Sequence, residues 1–431
     1  MNDIFSIKEF SFPKGFLWGS ATAGHQIEGD NVNSGHWAHE QEKLAKNPNF
    51  EVSGKACNSY EMYAEDVKVL KELGHQIYRM SLEWARIEPA EGEWNKEAVD
   101  HYIKNLALLK ENGIKVLLTL CHFSVPNWFA QSGNFQTLQN VEKFIKFVEY
   151  IVPKVAPYVD RWNVLNEING GMSLTQKIHK FNCTIAHAKA YHVIKKYSDK
   201  PVSTAHAYMD FFPLRRNDVF DQALEKYYDA FCNEFFFHAI RTGELVMEGM
   251  DGIIDKDIKG SLDYWAVNFY DRKMRDARSS GIRGKRYETT FTPMVDEPFY
   301  LDEFHSETAV NVLTRLMDKP IFITENGCSC DDDRFRIVYI TEFLCAINQA
   351  IKMGVNVEGY CYWSLLDNYE WSSFKPRFGL VDVDRKGDFK RTIKPSGYYL
   401  KEIIQNNGFK PEMLKKYLKE LPSIIYNPGQ V

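Results

Sequence analysis

No stretch of the chain approaches the ~20 consecutive apolar residues of a membrane helix. The opening segment, MNDIFSIKEFSFPKG, has no charged portion leading into an apolar one, so no secretory leader is expected. Lys/Arg-rich blocks and basic stripes are missing and the net charge is only −5, which argues against nucleic-acid binding. No low-complexity linker or shift in composition divides the 431 residues. Neither a Walker A sequence nor a G-x-G-x-x-G after the first apolar run is found, which disfavours an open doubly wound sheet built around a nucleotide. Of the eight cysteines only Cys328 and Cys330 are close, and no second pair completes a zinc pattern. Cys121 and Cys361 fall inside apolar runs, where a thiol packs as a small hydrophobe. Scattered free thiols without a leader make a cytoplasmic protein the expectation.

What the chain does have is a large apolar content, 44% hydrophobic and 14% aromatic, and a recurring pattern. Eight short apolar runs occupy residues 16–22, 76–84, 115–123, 161–167, 201–209, 262–270, 320–326 and 357–365. Amphipathic stretches with helical spacing lie between them, at 60–73, 99–112, 141–155, 185–197 and 336–353. Several close on Gly just before the next run, as in KELGHQIYRM, KENGIKVLLTL and IKMGVNVEGY. Eight buried strands alternating with helices predict an α/β fold, a (β/α)8 TIM barrel, with residues 1–431 forming a single catalytic domain.

In such a barrel the chemistry sits at the carboxyl ends of the strands. The eight runs end, or are followed, by polar and aromatic residues. His25, Gln26 and Glu28 follow the first. Arg79 lies within the second, which closes on Glu83 and Trp84. The third ends at His122 and Phe123, the fourth at Asn166 and Glu167, the sixth at Asn268 and Tyr270, and the seventh at Glu325 and Asn326. Trp363 belongs to the eighth, and LLDNYEW behind it brings Glu370 and Trp371. His25, Glu28, Glu83 and Trp84 read as chiefly structural. None of the set has metal-ligand spacing. Amides and acids bind hydroxyls, indoles cover the apolar face of a sugar ring, and two carboxylates on different strands suit cleavage of a glycosidic bond.

These residues stand in FPKGFLWGSATAGHQIEG, RMSLEWARIEP, NVLNEIN, NFY, ITENG, WSLLDNYEW and RFGLVDVD, and in this order the chain resembles family 1 of the glycoside hydrolases, the β-glucosidase and β-galactosidase group, over nearly its whole length. The resemblance implies a retaining enzyme that needs no cofactor and no metal. It implies Glu325 as nucleophile and Glu167 as acid/base, with Arg79 and Tyr270 holding Glu325 and Asn268 supporting the carboxylate region. It further implies sugar contacts from Gln26, His122, Asn166, Glu370 and Trp371, with Trp363 under the ring. The expected substrate is a small β-glycoside or oligosaccharide, cleaved at its non-reducing terminal β-D-glycosyl residue. A raised Glu167 pKa is expected beside an ionised Glu325.

The chain departs from the family pattern in three places. Ile168 follows the acid/base where Pro is usual, the segment GGMSLTQKIHK is short, and Phe123 stands where Trp is frequent. The short segment predicts an open aglycone side. Glu370 would repel a phosphate dianion, so a non-phosphorylated glycone is favoured over a 6-phospho-β-glycoside. A transglycosylating enzyme and a non-catalytic sugar-binding relative are the remaining alternatives. Glucose, galactose or fucose preference, and homo-oligomerisation, do not follow from these residues.

Overall fold

The computed structural model describes residues 4–170, 173–278, 285–286 and 305–420. Each apolar run becomes one strand: β1 Leu17–Ala21, β2 Ile77–Ser81, β3 Lys115–Cys121, β4 Arg161–Asn166, β5 Val202–Ala207, β6 Trp265–Asn268, β7 Ile321–Asn326 and β8 Val357–Trp363. They close into a parallel barrel in sequence order, β8 pairing with β1. The barrel interior holds Ala21, Ile77, Leu117, Ala205, Ala266, Phe322 and Cys361. Small residues have to alternate with large ones there for the layers to fit. Gly359 shows the constraint, since a Cβ would sit 2.3 Å from the Phe322 ring.

The larger core lies between strands and helices. The helices are α1 Ser59–Glu72, α2 Lys96–Glu111, α3 Leu138–Val155, α4 Leu174–Ile194, α5 Phe235–Thr242, α6 Thr308–Thr314, α7 Asp333–Lys352 and α8 Pro395–Asn406. α3 buries Val141, Phe144, Val148, Ile151 and Val155 along one stripe. α4 starts at Leu174, well ahead of the expected 185, because Ser173 and Gln176 form a reciprocal capping box. The segment joining Glu167 to α4 is thus shorter still. Gly171 and Met172 within it lie outside the described residues, and the expected openness of the aglycone side falls partly on them. α5 is preceded by the helix Val219–Asp229 and a π turn, Ala230–Glu234. A small sheet of Asp210–Pro213, Arg272–Asp276 and Lys285–Arg286, absent from the sequence reading, extends the carboxyl side of β5 and β6. Among the described residues no disulfide joins the eight cysteines, and no helix is long and apolar enough to cross a membrane.

Candidate active site

β4, β6 and β7 each break register near their carboxyl ends, between Asn163 and Asn166, between Val267 and Asn268, and between Ile323 and Asn326. Such irregularities re-aim the side chains that follow. They turn Asn166, Glu167, Asn268 and Glu325 toward a common centre, and Asn268 pairs with Glu325 across the ladder. Glu167 is left-handed at φ +46°, as are Phe123 at +63° and Trp371 at +58°. Non-glycine residues tolerate this only where the surroundings hold them. Asn169 is one such hold, and sequence reasoning missed it although it ends the NVLNEIN stretch. Its amide donates to the carbonyls of Ala207 (2.7 Å) and Cys232 (3.0 Å) and accepts from Ala207 N (3.1 Å), pinning the Glu167 turn to β5 and the π turn.

The two carboxylates have unlike partners. Glu325 is buried, its Oε1 accepting from Arg79 Nη1 and its Oε2 from the Tyr270 hydroxyl. Half-buried Glu167 accepts from the neutral amide of Asn268 at 2.8 Å. Burial, and next the Glu325 charge, push the Glu167 carboxyl up to about 7. Burial also raises the Glu325 carboxyl, and the shift stays upward although Arg79 and Tyr270 oppose it. Arg79 is wholly buried and also donates to Asn166 Oδ1 at 2.5 Å and Thr119 Oγ1 at 3.3 Å.

Those contacts fix the amides and a tautomer. Arg79 can only donate, so the Asn166 oxygen faces it and the Asn166 nitrogen donates to His122 Nε2 at 3.2 Å. His122 therefore carries its proton on Nδ1, and burial followed by Arg79 holds the ring neutral. His122 Nδ1 and Gln26 Oε1 are buried with no hydrogen-bond partner. A buried polar atom without a partner is costly, and a hydroxyl-rich ligand would satisfy both. The His122 ring lies nearly parallel to Trp363 (5.9 Å, 16°) and Trp371 (6.1 Å, 15°). The Trp363 indole donates to Glu370 Oε1 at 3.2 Å, and burial pushes Glu370 up to about 8.

The structure thus gathers Gln26, Arg79, His122, Asn166, Glu167, Asn268, Tyr270, Glu325, Trp363, Glu370 and Trp371 at one end of the barrel. The remaining rim residues do other work. Glu28 pairs with Arg86 at 2.8 Å, Glu83 accepts from His25 N at 2.8 Å, and the Trp84 ring packs on Phe147 at 5.0 Å. His25 binds Glu40 at 2.8 Å and stacks on Trp371 at 6.0 Å, so it braces the rim from behind. Asp332 caps α7 and Asp333 pairs with Arg336 at 2.9 Å. No cluster of potential metal ligands occurs among the described residues. A cavity of about 660 Å³, lined by Lys115, Asp160 and Lys200, lies at the amino ends of β3–β5, away from the carboxylates.

Two acids with unlike partners, beside stacked rings and unsatisfied polar atoms, suit the breaking of a bond to a sugar and place the chain among glycoside hydrolases. A family model described as "Glycosyl hydrolase family 1" matches residues 8–409, and the chain belongs to that family. It is 29% identical to "Beta-glucosidase A" of Acetivibrio thermocellus, over 94% of this chain and 100% of the relative. It is likewise 29% identical to a "Beta-galactosidase" of Saccharolobus solfataricus, over 96% of this chain and 99% of the relative. The fold superposes on the "beta-glycosidase from Pyrococcus horikoshii" with a TM-score of 0.85 at 29% identity, covering 96% of this chain and 99% of that one. The protein is a glycosidase.

Proposed function

We propose that the chain is a retaining β-glycosidase that removes non-reducing terminal β-D-glycosyl residues, glucose foremost, with galactose and fucose as further glycones. The barrel acts as a single catalytic domain. The observation that carries the reading is the unequal treatment of the two acids. Arg79 and Tyr270 favour the ionised form of Glu325, whereas burial and a like charge keep the proton on Glu167 near neutral pH. Glu167 then protonates the leaving oxygen while Glu325 attacks the anomeric carbon. Once Glu325 is esterified its charge is gone, the Glu167 pKa falls, and Glu167 deprotonates the incoming water. Asn268 donates to Glu167 and pairs with Glu325 across the barrel ladder, so the two acids face one another over a single strand pair, the close approach that a retaining pair needs.

Asn166 binds the hydroxyl next to the anomeric carbon, a role supported by its anchoring to Arg79 and its position next to Glu167 in sequence. Gln26, His122, Glu370 and Trp371 take the other hydroxyls, and Trp363 forms the floor. Glu370, whose carboxyl accepts from the Trp363 indole, offers a sugar hydroxyl a hydrogen-bond partner but offers a phosphate dianion no cation. Glu325→Ala tests the assignment. Turnover of an accepted aryl β-glycoside should fall on the order of 10⁴-fold or more, and azide should restore it with an α-glycosyl azide as product. A β-glycosyl azide, or activity near wild type, would refute the nucleophile.

A further inference from the structure

We propose that Asn169 is a positioning residue for the proton transfers of Glu167, and that together with Asn233 it takes the place of the proline that the family pattern puts after the acid/base. The proposal rests on the glycosidase reading above. β4 follows β5 as far as Glu167, whose N–H donates to the Ala205 carbonyl at 2.7 Å. There the chain turns away, in the left-handed conformation of Glu167, and its backbone no longer reaches Ala207. The Asn169 side chain stands in for it, accepting from the Ala207 N–H at 3.1 Å and donating to the Ala207 carbonyl at 2.7 Å. A side-chain amide carries the same donor and acceptor as a peptide group, so it continues the ladder where the backbone has left. Asn233, in the π turn, grips Met209 in the same way, accepting from its N–H at 3.3 Å and donating to its carbonyl at 2.8 Å. The Asn169 nitrogen joins the two grips by donating to the Cys232 carbonyl at 3.0 Å. Both asparagines are fully buried.

The frame behind Asn169 is rigid. Arg315 donates to Asp229 at 2.9 and 2.8 Å and to Glu234 at 2.6 Å, spanning the π turn, and Asn233 donates to Asp229 Oδ1 at 2.8 Å. The turn in front of Asn169 has little stiffness of its own. Ile168 leaves free the backbone angle that a proline would lock at about −65°, and a left-handed glutamate must be held by its surroundings. The Glu167 carboxyl accepts from Asn268 alone among the described residues, so the turn decides where its oxygens lie. Proton transfer requires hydrogen-bond reach of the leaving oxygen, and a misplacement of about 1 Å can cost ~100-fold. Glu325 stands on β7 and is held by Arg79 and Tyr270, which neither asparagine touches. Loss of the clamp should therefore fall on the proton steps and spare the nucleophile.

Two aryl β-glycosides of an accepted sugar separate these steps. The 2,4-dinitrophenyl glycoside expels its aglycone without a proton, whereas the phenyl glycoside needs the proton of Glu167. Asn169→Ala should lower kcat/KM at least about 10-fold for the phenyl glycoside and less than about threefold for the dinitrophenyl glycoside. With the dinitrophenyl glycoside kcat and KM should fall together, because the glycosyl-enzyme waits for its base. Azide needs no base: its anion attacks the anomeric carbon and releases the Glu325 carboxylate. It should raise that kcat at least about threefold and give a β-glycosyl azide. Asn233→Ala, one contact further from Glu167, should separate the two glycosides at least about threefold, and it decides the matter if Asn169→Ala does not fold. Equal losses on both glycosides in the folded variants, or wild-type rates on both, overturn the proposal. No turnover of either glycoside by the wild type would overturn the glycosidase reading and the positioning role with it, whereas wild-type turnover without a split in the variants overturns the positioning role alone.

Discussion

Replacing Glu325 by Gln removes a charge from beside Glu167 while keeping the shape of the site, and the Glu167 titration should record the loss. In the native site Glu167 is pushed up to about 7, by burial first and by Glu325 second. Two unit charges about 5.5 Å apart interact by about 3 kcal/mol at an effective dielectric of ~20. Glu167 is half-buried at the mouth, and solvent there screens the pair to about half of that. At 1.36 kcal/mol per pH unit, the Glu167 midpoint in Glu325→Gln should drop by about 1, to about 6. It should stay above the ordinary carboxyl value, because burial remains. The assay is a carbon-13 titration of glutamate carboxyls, with Glu167→Gln subtracted to assign the signal. In the wild type the same group should set the alkaline limb of kcat/KM near pH 7, since Glu167 must hold its proton to release the aglycone. An unchanged midpoint in Glu325→Gln would refute like-charge coupling, and a return to about 4.5 would refute burial as the first cause.

Two further outcomes follow from named contacts. Tyr270→Phe removes a charge-assisted hydrogen bond to Glu325, worth about 1.5–3 kcal/mol, so steady-state assays should show kcat/KM down about 10- to 150-fold; a loss below threefold would show the hydroxyl to be idle. Arg336 is fully buried, pairs with Asp333 and donates to the carbonyls of Cys328, Cys330, Arg377 and Phe378 behind the Glu325 strand. Arg336→Met leaves those groups unsatisfied and should cost about 3–5 kcal/mol, read as a lower Tm and denaturation midpoint; an unchanged midpoint would contradict it.

The barrel was legible because its signals are local. Eight apolar runs separated by amphipathic stretches and closing glycines specify strand, helix and turn without long-range information, and each run contains one barrel strand. The rim side chains were legible for the same reason, since a barrel strand delivers its last residues to one face. What escaped depends on contacts distant in sequence. The Asn169 clamp needs β5 and the π turn alongside it, and the π turn has no periodicity of its own to announce it. The early start of α4 was written in the sequence as Ser173 and Gln176, a capping box three residues apart that the periodic reading passed over.

The central claim, that Glu325 forms a covalent bond to the sugar while Glu167 moves the proton, is tested most directly by trapping. The enzyme would be incubated with the 2,4-dinitrophenyl 2-deoxy-2-fluoro-β-glycoside of an accepted sugar, and the labelled peptide sequenced by mass spectrometry. One fluoroglycosyl group per chain, on the peptide ITENG and at Glu325, is the expected result. A label on Glu167, or none under conditions where the parent glycoside turns over, would contradict the account.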